Sequence, residues 1–505
     1  MMFGVIPGCF NLTLEPQTST PKSKTAPPPS AEKLIANHDL DKAEELLKSQ
    51  IIANPNDSHA ITLFARLREE QHLYRKAEAL YREALRADPA SAEARESLSK
   101  LFLAEGRFDE GVAVAEPWVK SHPNQAEAKI MLGALYERVR RFDDSLKACE
   151  GLLTTADSRK VLAIVITDRM MLGHTDAASP LIVELMRNAA AEPEPVVDLG
   201  RALLRNGLTA DAGEMLLVAS KKMKPTASLL AVMAEATGRQ GNMVEAQQMA
   251  DRAVQLDPAS TDALVVSAQI AARKSDWKTA SEFFKRALEN RPPNISVLQG
   301  LTYADMQRDD IDAAHAPAEL LYELQPQSID AALSLALVDV RGKHWGEADA
   351  LLDKVLAARP NDKAAHLAKG MSKYNLGELD VAVQHLNASL GQGPADGEAY
   401  YHLGLVAKQR GDLAGAAAQM ESAIAANPQK FEVFSSLGQL YAQIGKLEQA
   451  RTMLEKAVQK LPEDTQSHYQ LASVYRRMSM TDKAREEMEI YQRLTKAAGK
   501  AGISK

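Results

Sequence analysis

The sequence predicts an all-α fold, a right-handed superhelical solenoid of about 13–14 antiparallel helix pairs, and three observations carry that expectation. Prolines stand 34 residues apart at Pro258, Pro292, Pro326, Pro360, Pro394, Pro428 and Pro462. Glycines recur at one place inside the same period, at Gly106, Gly173, Gly207, Gly241, Gly377, Gly411 and Gly445, where a helix end wants a left-handed residue. Composition favours helix throughout, because Ala, Leu, Glu, Lys and Gln dominate and aromatic residues are only 5%. A single core would not grow to 505 residues, whereas stacked repeats have no such limit.

Along the chain, residues 1–29 read as a disordered tail or linker, since Asn11 to Ser30 is rich in Thr, Ser and Pro. Met1 to Phe10 is apolar but lacks the basic start and full apolar run of a signal peptide. Ile6-Pro7-Gly8-Cys9 resembles the end of a bacterial lipobox, with Pro7 where a small or branched residue is usual. Two readings therefore stay open: a cytoplasmic tail, or, if translation starts upstream, a lipidated Cys9 tethering a periplasmic or outer-membrane protein. Residues 30–57 form a degenerate first repeat, and 58–158 are regular repeats; Pro55, Pro89 and Pro123 keep the same step. The early and late proline series differ by one residue in phase, so one residue has been lost near Thr154 to Ser158. Residues 159–226 diverge, 227–464 are regular, and 465–498 hold the last repeat and a cap helix. Lys483, Arg485, Glu486, Glu487, Glu489 and Arg493 are expected on the exposed side of that cap.

Inside the period each residue type has a physical reason. The unit from Gly397 carries Tyr400, Leu403, Gly404, Ala416, Met420, Ala423 and Pro428; the next carries Phe434, Leu437, Gly438, Tyr441, Ala450, Leu454, Ala457 and Pro462. Small residues such as Gly404 and Ala416 let paired helices approach, while Tyr400 and Met420 fill the wider gap between units. Proline just past the second helix stops it, having no N–H and a fixed φ. This pattern resembles the tetratricopeptide repeat family over about Ser30 to Leu494. The resemblance implies a binding scaffold or adaptor whose first helices line a concave groove, with a protein or peptide partner and no cofactor. Similar arrays occur in bacterial envelope proteins serving secretion, polysaccharide export or complex assembly, the alternative that a lipidated Cys9 would favour. Some long arrays of the family precede a catalytic domain; here the repeats run to within a dozen residues of the last one given.

The residues give little support to chemistry. No P-loop, His-Glu-x-x-His or Gly-x-Ser-x-Gly motif occurs, and the 11 histidines have no ligand spacing along the chain, so neither an enzyme nor a metal site is expected. Gly391 to Gly397 is glycine-rich but follows a helix, and reads as a loop between units. Cys149 falls at a core position of its unit. The net charge of -7 comes from 60 basic and 67 acidic residues mixed along the chain, without the basic stripe that nucleic acid requires. No apolar run is long enough to span a membrane.

The fifth, ninth and twelfth residues of each unit share the first helix's inner side. Between Ile295 and Asn427 these include Tyr303, Met306, Leu333, Leu337, Val340, Met371, Tyr374, Tyr401 and Leu405, a mostly apolar stripe and the candidate partner-binding surface. Packing between neighbouring first helices would also favour Leu and Val there. Near the start the same positions hold Thr62, Arg66, Glu69, Glu96, Lys100 and Leu103, mostly polar, and they do not place Lys at the fifth and Asn at the ninth position, the pair with which some relatives clamp a C-terminal carboxylate. A column of basic residues, Arg138, Arg205, Arg239, Arg273, Arg341 and Arg477, ends the first helices and is expected to complement their dipoles.

Overall fold

The computed structural model describes residues 30–501, apart from 290, 392–395 and 430–431. Cys9 and the glycine-rich loop at 392–395 lie outside the described residues. Among those described, 28 α-helices and one 3₁₀ turn occur and no strand. The helices pair consecutively from α1 (Ala31–Ala36) and α2 (Leu40–Ala53) to α27 (Thr465–Arg477) and α28 (Thr481–Ala501), making fourteen pairs. The first pair is the truncated one, with a six-residue α1. The described residues form two compact units divided between Ser97 and Leu98, inside α5 (Ala92–Glu105).

One backbone feature sets every turn between paired helices. All seven recurrent glycines have φ near +80 to +95°, and the equivalent residue in the other seven pairs is also left-handed although it carries a side chain: His38, His72, Arg140, Ser275, Asp309, Lys343 and Ser479. The spacing is 34 throughout except from Arg140 to Gly173, where one residue is missing. A left-handed conformation costs a residue with a Cβ about 1–2 kcal/mol. Gly377, with open space around its missing Cβ, and Lys343, at φ 66°, are therefore a matched pair. Lys343→Gly should stabilise its helix pair by about 1 kcal/mol and Gly377→Ala should destabilise its own by a similar amount, read from hydrogen exchange of the flanking helices.

Close approach within a pair follows from the small residues. A Cβ on Gly404 would stand 2.9 Å from Met420 Cγ and 3.2 Å from the Ala416 carbonyl, so α23 (Gly397–Gln409) and α24 (Leu413–Ala426) meet at that point. Polar ties link one pair to the next. Tyr136 and Tyr475 donate to Glu116 and Glu455 of the preceding second helix, both at 2.8 Å, and Tyr441 does the same to Glu421. The basic column acts on a different helix from the one expected. Arg341 donates to the Met306 carbonyl (3.1 Å) and Arg477 to the Ala442 carbonyl (2.6 Å), while Arg239 reaches Leu204 O, so each caps the first helix of the preceding pair.

The missing residue falls in the segment after α8 (Phe142–Cys149), which is only eight residues long and passes into a 3₁₀ turn, Glu150–Leu152. Cys149 is fully buried, and burial pushes its thiol up to about 12, so it is an inert packing residue. Nearby Asp168 is fully buried with no hydrogen bond to either carboxyl oxygen, because the neighbouring Ser145 hydroxyl donates to Gly133 O. Burial pushes Asp168 up to about 7. Its folded form thus holds a proton that the unfolded chain releases near pH 4, and stability falls as pH rises from about 4 to about 7. Asp168→Asn should stabilise the protein at pH 8 by at least about 1 kcal/mol, the gain vanishing toward pH 4 in paired melting curves.

At the C-terminal end, five of the six charged residues expected to be exposed on α28 are so. Glu487 is the exception. It turns inward to His468 Nδ1 at 2.5 Å, tying the cap to α27.

Candidate partner-binding groove

The first helices α7 (Ala126–Arg138), α11 (Glu194–Arg205), α13 (Ala227–Arg239), α15 (Thr261–Arg273) and α17 (Ile295–Gln307) face a common cavity of about 440 Å³. It is closed where Asn294 Nδ2 donates to the carbonyl of Ala104 at 2.7 Å, joining residues 190 positions apart. Its charged lining is Arg138, Arg201, Arg205 and Arg291 against Glu235 and Asp262. Arg201 is engaged by Asp198 (2.8 Å) and Asp262, and Arg205 by the buried Glu137 (2.8 Å), which also accepts from Asn206. The Arg138 guanidinium lies 4.3 Å over the Phe108 ring. Burial, and then the like charge of Arg205, push Arg138 down to about 10. Glu235 is already held by Arg239. Positive charge exceeds negative in this cavity, and the site favours an anionic group.

Sequence reasoning assigned the fifth and ninth positions to the inner side, and Ala231, Glu235, Val265 and Arg201 at those positions do line the cavity. It missed the cavity itself. Arg138 and Arg205 were read with the helix-ending column, yet they face this space while Arg239, Arg341 and Arg477 cap neighbours. Arg291 sits between units, and no local pattern marks it.

The apolar stripe lies further along. Tyr303 is 56% exposed and packs edge-on against Trp277, ring centroids 5.6 Å apart. Leu333, Leu337 and Met371 are half-buried against one core cluster, Met306 against a second, Tyr374 against a third, and Tyr401 and Leu405 against a fourth. Tyr374 also stands 6.2 Å from the His402 ring. Leu333, Leu337 and Met371 thus pack on one and the same core cluster, and Tyr303 is the most exposed of the eight. Two positions of the pattern do not face outward: Val340 is buried in the core and Thr62 is fully buried, its hydroxyl donating to Ser58 O.

Tetratricopeptide repeat profiles match residues 68–136, 232–295, 333–396, 367–431 and 407–474, together more than half of the chain. The chain belongs to the tetratricopeptide repeat family. No curated protein matches the sequence. Among solved structures it is similar to the Cut9–Hcn1 hetero-tetramer of the APC/C, at 13% identity over 87% of this chain and 93% of that one, TM-score 0.39. It is also similar to MamA of Desulfovibrio magneticus RS-1, at 23% identity over 34% of this chain and 96% of that one, TM-score 0.31. A third is YrrB, described as a tetratricopeptide repeat protein with an unusual peptide-binding site, at 18% identity over 35% of this chain and 91% of that one, TM-score 0.30. Among the described residues no helix is long and apolar enough to cross a membrane.

Proposed function

We propose that this protein is a non-catalytic scaffold or adaptor that holds an extended or helical segment of a partner protein along its first helices. Acidic groups of that segment meet Arg138 and Arg291, and apolar side chains lie on Tyr303, Met371 and Tyr374. The arginine-rich cavity is the observation that carries this reading, since it is large enough for several side chains and carries unbalanced positive charge. Phage-displayed peptides selected on the full chain at low salt test it. The selected set should be rich in Asp, Glu and apolar residues. Arg138→Gln and Arg291→Gln should each weaken a selected peptide by about 1–3 kcal/mol, and added salt should weaken it further. Arg205 is left unchanged in this experiment because it holds the buried Glu137. Selected peptides without acidic enrichment, or affinities blind to both substitutions, contradict the proposal.

A further inference from the structure

A column that faces between neighbouring pairs points to a metal site. In several pairs the residue four before the left-handed position meets the preceding second helix at the residue six or ten after that pair's left-handed position. At Tyr136, Tyr441 and Tyr475 the contact is the tyrosine-to-glutamate bond described above. Three successive pairs replace that tyrosine with a charge. Asp305 is met by Lys285 at 3.4 Å and by Arg308 at 3.1 Å. Lys373 is met by Asp349 at 3.1 Å. Between them Asp339, only 2% exposed, is met by His315 on α18 (Ile311–Leu324), with Glu319 at the position where Lys285 answers Asp305. His344, preceding α20 (Trp345–Ala358), closes the other side. A buried carboxylate here has two imidazoles around it, and the position that should supply an opposite charge supplies a like one.

The distances suit a cation. His315 Nε2 stands 3.1 Å and His344 Nδ1 3.4 Å from the same Asp339 oxygen, and one ligand atom from each residue lies within 4.8 Å of the others. Ligands about 2.0–2.2 Å from a shared ion are about 3.0–3.5 Å apart in tetrahedral or octahedral arrangements. His315 Nδ1 lies 4.0 Å from Glu319, so a histidine ligating through Nε2 has a carboxylate placed to orient its other N–H. We infer that His315, Asp339 and His344 form a binding site for a divalent transition cation of the zinc type, with Glu319 as the outer partner of His315. Two imidazoles and one carboxylate suit Zn²⁺ and its neighbours rather than Mg²⁺ or Ca²⁺. The ion would join three successive helices across a repeat boundary. His315 and Asp339 are on separate helices and His344 stands in the turn after the second, which is why spacing along the chain did not reveal them.

Zn²⁺ titration of the full, chelator-stripped chain tests this, followed by calorimetry and by thermal melting. One equivalent should bind and raise the melting temperature, and millimolar Mg²⁺ should not compete. His344→Ala and Asp339→Asn should each weaken binding at least as much as the roughly 10–100-fold cost of losing an outer-shell partner. His344 is half-exposed and makes no side-chain helix cap, so its variant should fold, which circular dichroism checks. Without zinc, Asp339→Asn should melt no lower than the native chain, because an amide needs no countercharge. Stripped native protein that takes up less than one equivalent, or His344→Ala and Asp339→Asn variants that bind Zn²⁺ as tightly as native, would overturn the assignment.

Discussion

Trp118→Ala should lower the stability of its repeat by about 3–5 kcal/mol, although alanine is the residue that many other repeats use at the same place. Trp118 stands twelve residues after the left-handed Gly106, and alanines at the equivalent place include Ala84, Ala219, Ala253, Ala287, Ala423 and Ala457, all buried. Those alanines sit where paired helices close up. Trp118 on α6 (Phe108–Ser121) is itself fully buried, and its Nε1 donates to Gln125, the residue just before α7, at 3.0 Å. Its neighbours are therefore spaced for an indole, and truncation leaves a cavity and an unpaired Gln125 side chain. Denaturant melts followed by hydrogen exchange in α6 and α7 measure the loss. A change below about 1 kcal/mol would mean that the helices close up and that repeat identity, not local fit, sets the packing.

Arg107→Met should cost about 3–5 kcal/mol, and the double change Arg107→Met with Glu105→Leu should cost much less. Arg107 and Glu105 form an ion pair at 2.8 Å, with side chains 5% and 0% exposed, and Arg107 also bonds Glu110 at 2.7 Å while lying over the Phe102 ring. Removing the arginine alone takes from the buried Glu105 carboxylate the counter-charge 2.8 Å away, whereas removing both takes away the desolvation cost as well as the attraction. A double-mutant cycle on melting supplies the coupling energy. Equal losses from the single and double changes would show that packing against Phe102, not charge, is what Arg107 provides.

The sequence was most informative where a feature recurs with the 34-residue period. The helix pairs, the left-handed turns and the small residues at the crossings were legible because each is repeated and each has one cheap chemical solution. Half of the left-handed positions were still hidden, since His38, Arg140 and Lys343 carry no mark that separates them from ordinary residues. The basic column was legible as helix-end chemistry, but not which helix it serves, because Arg341 crosses to a helix 35 residues earlier. The arginine-lined cavity and the His315, Asp339 and His344 cluster were not legible at all. Both are assembled from different helices, and the cavity depends on the Asn294 to Ala104 contact, which no local pattern encodes.

The central claim is that the first-helix face binds a partner, and affinity measured beside melting on three variants, with a selected peptide as probe, tests it most directly. Tyr303→Ala and Tyr374→Ala should each weaken the peptide by about 1–3 kcal/mol, and Tyr303→Ala, more than half exposed, should barely move the melt. Leu403→Ala, 8% exposed and facing the core, should lower melting by the equivalent of about 2–4 kcal/mol while peptide affinity of the folded form stays near native. Tyr303→Ala and Tyr374→Ala proteins that melt lower yet bind the peptide as tightly as native would show that the stripe is packing between helices and contradict the account.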